Sequence, residues 1–336
     1  MEHLISVIVC TYNQEDSIGR ALDSVLMQQC HLPFEIIIGE DHSTDHTLDI
    51  CKSYAEKHPN IIRIIANETN KGLVDNYFDC LLSSRGEYIT DCAGDDFWTD
   101  PLKLEKESRL LEEHPEVTLV HTAWQYYNAQ THVASPNGID SDHIQTFTPG
   151  EELLQRIVTQ RRHPVIQLST ALFRKEIFLR AYEADTYLFR NKAFGCEDLQ
   201  IAFAMARSGK IAYLPDITMN YVVGKKSVSE RHNDKEQFEF VRQVTDLSHY
   251  LSTNYQITGH EVDKYFTQRL FELSMHAFRA HSTDLRNQAK QLQRNWHAEC
   301  DCRTQIVRLA MSNEMTWNTA LLVRRIVVSL KRLMNR

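Results

Sequence analysis

The interpretation of this chain starts from the run Gly86-Glu87-Tyr88-Ile89-Thr90-Asp91-Cys92-Ala93-Gly94-Asp95-Asp96. Its first part is typical of a buried strand, and its last part is a turn of small residues that carries adjacent carboxylates. Neighbouring carboxylates repel each other and lose hydration on burial, so the turn needs a compensating partner. A Mg²⁺ or Mn²⁺ ion that also binds substrate phosphates is one such partner. The alternative is a solvated acidic turn.

Strand and helix signals alternate on both sides of this run. The predicted strands are Ile5–Cys10, Phe34–Gly39, Ile61–Ala66, Gly86–Asp91 and Val117–Thr122. The segments between them carry apolar residues at helical spacing. This alternation predicts an α/β fold with a mostly parallel sheet flanked by helices. The middle of the chain is less regular, and the last hundred or so residues are predicted to be helical.

Composition excludes several classes of protein. The chain has 336 residues, of which 42% are hydrophobic and 24% are charged, as in ordinary globular proteins. A net charge of −8 argues against nucleic acid as a partner. No apolar stretch approaches the ~18 residues needed to span a bilayer, and the first residues lack the features of a signal peptide. With eight scattered cysteines, which we expect to be reduced, these features predict a cytoplasmic protein.

Polar residues follow three of the predicted strands. They are Thr11–Glu15 after the first strand, Glu40–Asp45 after the second, and Asp95 with Asp96 after the acidic run. Open α/β sheets bind ligands beyond the carboxyl ends of their strands. An aromatic residue, a carboxylate for ribose hydroxyls and a metal for phosphates together predict a nucleoside-diphosphate site. For Asp41 the alternative is a helix cap, although capping does not require a second acid there.

In order and spacing, these motifs resemble those of the family 2 glycosyltransferases, which have the GT-A nucleotide-sugar fold. The matching segments are Val7–Asn13, Asp41-x-Ser43-Thr44-Asp45, Asn70-x-Gly72, Gly86–Ile89 leading to Gly94-Asp95-Asp96, and Cys196-Glu197-Asp198. The resemblance covers roughly residues 4–225. It implies a GT-A type, Rossmann-like catalytic domain over 1–228 and a C-terminal helical extension over 229–336. Within the domain, 1–122 would bind the nucleotide sugar and 123–228 would form the acceptor half.

The resemblance also implies site residues. Asp198 would be the catalytic base, Glu197 would orient the loop or the acceptor, and Asp96 would bind Mn²⁺ or Mg²⁺. We also expect His163 to line the acceptor side. The donor-binding residues would be Thr11, Tyr12, Asn13, Glu15, Asp41, Lys71 and Asp95.

The chemistry explains why one downstream carboxylate is enough. A metal can neutralise the charge of a leaving nucleoside diphosphate without proton transfer. One base is then needed, to take the proton of the acceptor hydroxyl from the opposite face. In-line displacement of this kind inverts the anomeric centre. Together with this chemistry, the resemblance implies a metal-dependent hexosyl- or N-acetylhexosaminyl-transferase that uses a nucleotide sugar, in particular a UDP-sugar.

The expected acceptor is a glycan or a lipid-linked glycan, as in cell-surface polysaccharide biosynthesis. Two other functions stay open at this point. One is a nucleotide-sugar-binding or scaffold protein without turnover. The other is a sugar-phosphate nucleotidyltransferase, which the sequence disfavours because Thr11-Tyr12-Asn13-Gln14 lacks a glycine-rich cradle.

Two positions depart from the family pattern. His42 stands where glycine is common, and the sequence after Tyr221 lacks the histidine that the family often carries there. Lys225 or Lys226 could stabilise the diphosphate in its place, so we expect weaker metal dependence than is usual for the family.

The last predicted helix, 317–336, is amphipathic and basic. Its apolar residues recur at helical spacing, whereas Arg324, Arg325, Lys331, Arg332 and Arg336 gather on the other side with no acidic residue between them. Such helices lie on anionic membrane surfaces, which would place the protein at the inner face of the cytoplasmic membrane. The alternative is a helix that packs on the catalytic domain or on a second copy in an oligomer.

Overall fold

A computed structural model describes residues 4–138, 145–160, 166–224 and 233–334, with side chains described through residue 327 in the last helix. The chain divides into two compact units, Met1–Lys225 and Lys226–Arg336. The finer domain boundaries proposed from the sequence stay a prediction.

The described part of the first unit contains one mixed sheet. Its strands are β1 (Ile5–Thr11), β2 (Phe34–Glu40), β3 (Ile62–Ala66), β4 (Tyr88–Asp91), β5 (Phe97–Trp98), β6 (Val117–Asn128), β7 (Val133–Pro136), β8 (Phe147–Pro149), β9 (Ala171–Arg174) and β10 (Lys210–Val223). The strand order is β3-β2-β1-β4-β9-β6-β10-β5, with β7 paired to β6 and β8 paired to β10.

Helices connect most of these strands. They are α1 (Ile18–Leu26), α2 (Thr47–Lys57), α3 (Leu73–Ser83), α4 (Lys103–Glu113), α5 (Gly150–Val158), α6 (Lys175–Ala184), α7 (Thr186–Arg190) and α8 (Asp198–Ser208). Single 3₁₀ turns occur at Leu168–Thr170 and Lys192–Phe194. The α/β fold with a mostly parallel first half is confirmed.

Strand pairing brings the predicted ligand-binding loops to one edge. Strand β1 runs parallel to β2, with Thr11 opposite Glu40, and parallel to β4, with Ile8 opposite Asp91. The three strands are almost entirely buried, because helices cover a sheet of this kind on both faces. Their carboxyl ends therefore meet at the same edge, where the polar residues after each strand lie together.

The other half of the sheet mixes directions. Strand β9 is antiparallel to β4 and β6, whereas β10 is parallel to β6 and antiparallel to β5. The pairing of β5 with β10 places the residues after the acidic turn against Met219 and Asn220. The acidic turn is thus enclosed between the parallel half and β10.

The second unit is helical, as predicted. Its helices are α9 (Asp234–Asn254), α10 (His260–Arg279), α11 (Thr283–Asn295), α12 (Cys302–Ala310) and α13 (Glu314–Met334). They enclose a core that includes Phe238, Phe266, Leu270, Leu273, Trp296 and Trp317. Among the described residues, no helix combines the length and the apolar character needed to cross a membrane.

Candidate active site

The loops after β1 and β2 are fastened to each other by hydrogen bonds. The side-chain oxygen of Asn13 accepts from the backbone N–H of Thr44 at 2.8 Å. The carboxylate of Glu15 accepts from the N–H of His46 at 2.9 Å, and the N–H of Glu15 donates to Asp45 at 3.1 Å. Two of the predicted donor-binding residues, Asn13 and Glu15, therefore use their side chains to hold the neighbouring loop.

Asp41 organises the turn that precedes α3. Its buried carboxylate accepts hydrogen bonds from the side chain of Asn67 at 2.9 Å and from the backbone N–H groups of Lys71 at 2.8 Å and Gly72 at 2.9 Å. Gly72 has a φ of +84°, a conformation that glycine adopts at no steric cost. An ionised carboxylate has about four acceptor sites. The turn thus occupies most, but not all, of the acceptor capacity of Asp41.

The cation of Lys71 lies in a charged network between α3 and the segment after α6. Its ammonium group pairs with Asp79 at 2.9 Å, and Arg190 pairs with the other oxygen of Asp79 at 2.9 Å. Lys192 pairs with Asp75 at 2.6 Å. The side chain of Lys71 therefore has an acidic partner within the protein, and its main chain is what contacts Asp41.

Asp96 is buried and tied to strand β10. One oxygen of its carboxylate accepts from the backbone N–H of Val222 at 2.8 Å. Burial and the adjacent charge of Asp95 raise the pKa of Asp96, while the Val222 N–H and the charge of Arg20 act in the opposite direction. The guanidinium of Arg20 donates to the carbonyl of Asp95 at 3.3 Å and lies 4.2 Å from the ring centre of Phe97. Arg20 is thus a cation beside the acidic turn that sequence reasoning did not find.

Gly94 packs against the loop after β1, and a larger side chain would not fit there. A Cβ atom at this position would lie 2.3 Å from the side-chain oxygen of Gln14 and 3.1 Å from the hydroxyl of Thr11. Thr11 is buried and donates its hydroxyl to Gln14 at 2.8 Å. Of the predicted donor-binding residues on this loop, Tyr12, Asn13 and Glu15 are exposed, and Tyr12 is 46% exposed.

Asp91, the last residue of β4, is a buried carboxylate that the sequence analysis left inside the strand. Its Oδ1 atom has no hydrogen-bond partner among the described residues. Burial raises the pKa of Asp91 to about 7, with the positive charge of Lys103 opposing and the negative charge of Asp198 reinforcing the shift. The sequence signal for this residue was an acid at the last position of a strand that ends at the ligand-binding edge.

The pair Glu197-Asp198 stands at the beginning of α8. Asp198 is half-buried, and its carboxylate accepts from the N–H of Leu199 at 2.7 Å. Burial raises the pKa of Asp198. Burial, then the charges of Asp198 and Asp91, raise the pKa of Glu197. Asp91 therefore lies within electrostatic range of this pair.

The same residue connects the pair to the acidic turn, because the charge of Asp91 also raises the pKa of Asp96. Asp91 therefore acts electrostatically on the acidic turn and on the pair Glu197-Asp198, although the two are far apart in sequence. The remaining predicted site residues, His163, Lys225 and Lys226, lie outside the described residues.

The oxygen ligands at the acidic turn suit a hard divalent cation whose coordination shell is completed by a bound phosphate. Among the described residues, three side chains that can bind a metal have their ligand atoms within 4.8 Å of one another. They are Cys30, His31 and Glu105, and none of them belongs to the acidic turn. The turn offers the carboxylate of Asp96 instead, with one oxygen engaged by Val222. Mg²⁺ and Mn²⁺ are commonly held by one or two carboxylates plus substrate phosphates, so a closed protein cage is not required.

Comparison with known proteins identifies the family and the fold of this chain. The family model for glycosyl transferase family 2 matches residues 6–180, which is about half of the chain. The chain belongs to glycosyltransferase family 2. This family 2 protein is 45% identical over 115 residues to an uncharacterized protein of Mycobacterium tuberculosis, an alignment that covers 34% of this chain and 33% of that protein. The match thus spans about a third of the relative's length.

A second relative is the poly(ribitol-phosphate) beta-glucosyltransferase of Bacillus spizizenii. It is 35% identical over 94 residues, which cover 28% of this chain and 15% of that protein.

Two solved structures share the fold of this family 2 protein. S. aureus TarS 1-349 in complex with UDP-GlcNAc superposes with a TM-score of 0.63 and 17% identity, covering 96% of this chain and 91% of that chain. The mannosyltransferase PcManGT of Pyrobaculum calidifontis, in complex with GDP-Man and Mn²⁺, gives a TM-score of 0.51 at 17% identity, covering 99% and 87%. The GT-A fold with C-terminal helices is confirmed.

Proposed function

We propose that this family 2 protein transfers a sugar from a UDP-sugar to a hydroxyl of a glycan or lipid-linked glycan, with inversion at the anomeric carbon. The observation that carries the proposal is that the charge of Asp91, at the carboxyl end of β4, acts both on Asp96 and on Glu197 next to Asp198. Buried acids coupled in this way are typical of functional sites, because their mutual repulsion destabilises the fold unless a ligand offsets it.

The relatives support the substrate class. A poly(ribitol-phosphate) glucosyltransferase is among them, which favours an acceptor in cell-surface polysaccharide biosynthesis. The structure of TarS with UDP-GlcNAc favours a UDP-linked donor, whereas PcManGT with GDP-Man supports a guanine nucleotide as the alternative. A thermal-shift comparison of UDP- and GDP-sugars separates the two, because a ligand that binds the native state raises its melting temperature.

Asp198 is the proposed general base. Burial raises the pKa of Asp198, which makes it a stronger proton acceptor than an exposed carboxylate. As the acceptor oxygen forms its bond to the anomeric carbon, Asp198 takes the hydroxyl proton. The bond from the anomeric carbon to the diphosphate oxygen breaks, and the nucleoside diphosphate leaves with the electron pair.

Asp96 would hold the divalent cation. A bound Mn²⁺ or Mg²⁺ supplies charge neutralisation to the leaving diphosphate. Arg20 places a further positive charge next to this turn. Lys225 and Lys226 stay candidates for additional diphosphate contacts. Thr11, Tyr12, Asp41 and Asp95 surround the proposed donor side, where Tyr12 has the exposed ring.

The decisive test compares Asp198→Asn with Glu197→Gln in full-length protein. General-base catalysis contributes about 10²- to 10⁴-fold, so Asp198→Asn should lower kcat by that factor while the donor-dependent thermal shift stays unchanged. Glu197→Gln should have a smaller effect on kcat. Full transfer by Asp198→Asn would overturn the assignment. Donor binding by the parent protein with neither transfer nor donor hydrolysis would indicate a binding protein instead.

A further inference from the structure

The beginning of α13 is anchored in the core of the helical unit. The indole N–H of Trp317 donates to the carbonyl of Phe278 at 3.0 Å, and its ring packs edge-on against His281 with 4.6 Å between centroids. Trp317 is only 2% exposed, and Ala320 and Leu321 pack against the same core. The first half of the helix is therefore fixed.

The helix then leaves the core. Every residue from 322 to 327 is exposed, although four of them are large and apolar. Leu322 is 58% exposed, Val323 53%, Ile326 51% and Val327 45%. At about 100° per residue these four side chains share one side of the helix, and we call them the α13 ridge. A helical segment without packing partners is marginal in water, so a partner surface would stabilise it.

The charge of this segment distinguishes a second copy of the chain from a lipid bilayer as the partner of the ridge. Residues 315–336 contain five arginines and lysines and no acidic residue, although the whole chain has a net charge of −8. Arg324 and Arg325 are exposed and lie on the side of the helix away from the ridge. Two copies that meet through their ridges would cover the apolar side chains but would offer these basic residues no acidic partner from 315–336. An anionic bilayer accepts apolar side chains below its headgroups and attracts arginines and lysines at its phosphates.

We propose that the segment 322–327 of α13 binds the surface of anionic lipid bilayers, with the α13 ridge inserted and Arg324 and Arg325 at headgroup level. The helix lies in the plane of the interface and does not span the membrane. This inference is independent of the proposed glycosyl transfer, and its test measures binding to vesicles and not activity.

The test is flotation of the full-length protein with phosphatidylcholine vesicles and with vesicles that also contain phosphatidylglycerol. We expect flotation with the anionic vesicles and its loss in the double variant Val323→Asp/Ile326→Asp. Val133→Asp is the matched control, because Val133 is an exposed apolar residue of the first unit at 58% exposure. The control should float like the parent protein.

A second pair of variants tests the charge term. Arg324→Glu/Arg325→Glu should weaken partitioning at least about 25-fold, since each basic residue near an anionic surface contributes about a factor of five. Lys290→Glu/Arg294→Glu makes the same change on exposed positions of α11 and should have a small effect. Circular dichroism checks that all variants are folded.

Three results would overturn the proposal. They are no flotation of the parent protein, equal flotation of the parent and the ridge variant, and a dimer in sedimentation velocity that Val323→Asp/Ile326→Asp dissociates. The last result would assign the ridge to a second copy of the chain.

Discussion

The carboxylate of Asp96 and the backbone N–H of Val222 form a 2.8 Å hydrogen bond that fastens the acidic turn to strand β10. The two residues are far apart in sequence. Asp96 follows β4, in the parallel half of the sheet, and Val222 is near the end of β10. A ligand that binds Asp96 would therefore meet a carboxylate whose position is held by β10.

Asp96→Asn separates the structural role of this residue from its chemical role. The amide oxygen can still accept from Val222, and burial together with Asp95 disfavours the charged form of Asp96, so we expect a folded protein that melts at or above the temperature of the parent at neutral pH. Loss of the charge should lower transfer at least about 100-fold, because metal stabilisation of a leaving group contributes several kcal/mol. Melting curves with and without Mn²⁺ and a transfer assay measure both effects.

Asp49→Asn is the control for Asp96→Asn, because Asp49 has an exposed side chain on α2. It should change neither readout. Transfer at the parental rate by Asp96→Asn would refute the metal assignment.

Asp91→Asn should stabilise the fold at neutral and basic pH. The pKa of Asp91 is about 7 in the folded protein, chiefly because of burial, against 3.8 when exposed. Between these values the folded state binds more protons than the unfolded state, so Asp91 makes stability fall as pH rises through this window. The variant should melt higher than the parent above about pH 7 and show a smaller gain near pH 4. An equal gain at both pH values would contradict this account.

Asp41→Asn should destabilise the turn before α3. The carboxylate accepts from Asn67, Lys71 and Gly72, and an amide placed there would turn its own donor toward at least one of these groups. Hydrogen bonds to charged groups contribute about 1.5–3 kcal/mol, so we expect a loss of that order in the free energy of unfolding. Denaturant unfolding measures it. An unchanged midpoint with weaker donor binding would show that Asp41 acts on the donor alone.

His31 and Glu105 form a pH-dependent pair near α4, with 2.6 Å between Nδ1 and the carboxylate. The hydrogen bond to Glu105 raises the pKa of His31, and hydrogen bonds from the backbone and ring of His31 lower the pKa of Glu105 to about 2. The histidine contribution is complete below its unfolded pKa and disappears as pH rises through the folded pKa. The glutamate contribution is complete above its unfolded pKa and disappears as pH falls toward 2.

His31→Gln should therefore cost most stability between the unfolded pKa values of the two groups, 4.5 for Glu105 and 6.5 for His31. The cost should diminish as pH rises through the raised pKa of His31, where the ring loses its charge. Thermal melts across this range provide the measurement. His46→Gln serves as the control, since the ring of His46 is 81% exposed and lies 3.5 Å from its acidic neighbour. A pH-independent cost would mean that the His31 ring acts by packing.

The sequence predicted the elements whose signals are local. The apolar run that starts at Ile5 forms β1, and the last hundred or so residues, predicted to be helical, form α9 to α13. The family resemblance, which rests on motifs after these strands, was confirmed as well.

The contacts that were not predicted join residues distant in sequence. Arg20 reaches the carbonyl of Asp95, and Asp41 is engaged by the turn at Lys71. The unpaired oxygen of Asp91 is a property of the packed edge. Periodicity and capping rules describe neighbours along one element, so they carry no information on such partners.

The hydrogen bonds between Asn13 and Thr44 and between Glu15 and His46 have a consequence for binding. Since the two loops already restrain each other, a nucleotide that arrives between the strand ends has little backbone left to immobilise. The entropic penalty of association is correspondingly small on this side. The proposed donor site is preorganised on this side, so affinity for the nucleotide should respond more to the loss of the Asn13 and Glu15 bonds than to changes elsewhere on the loop surface.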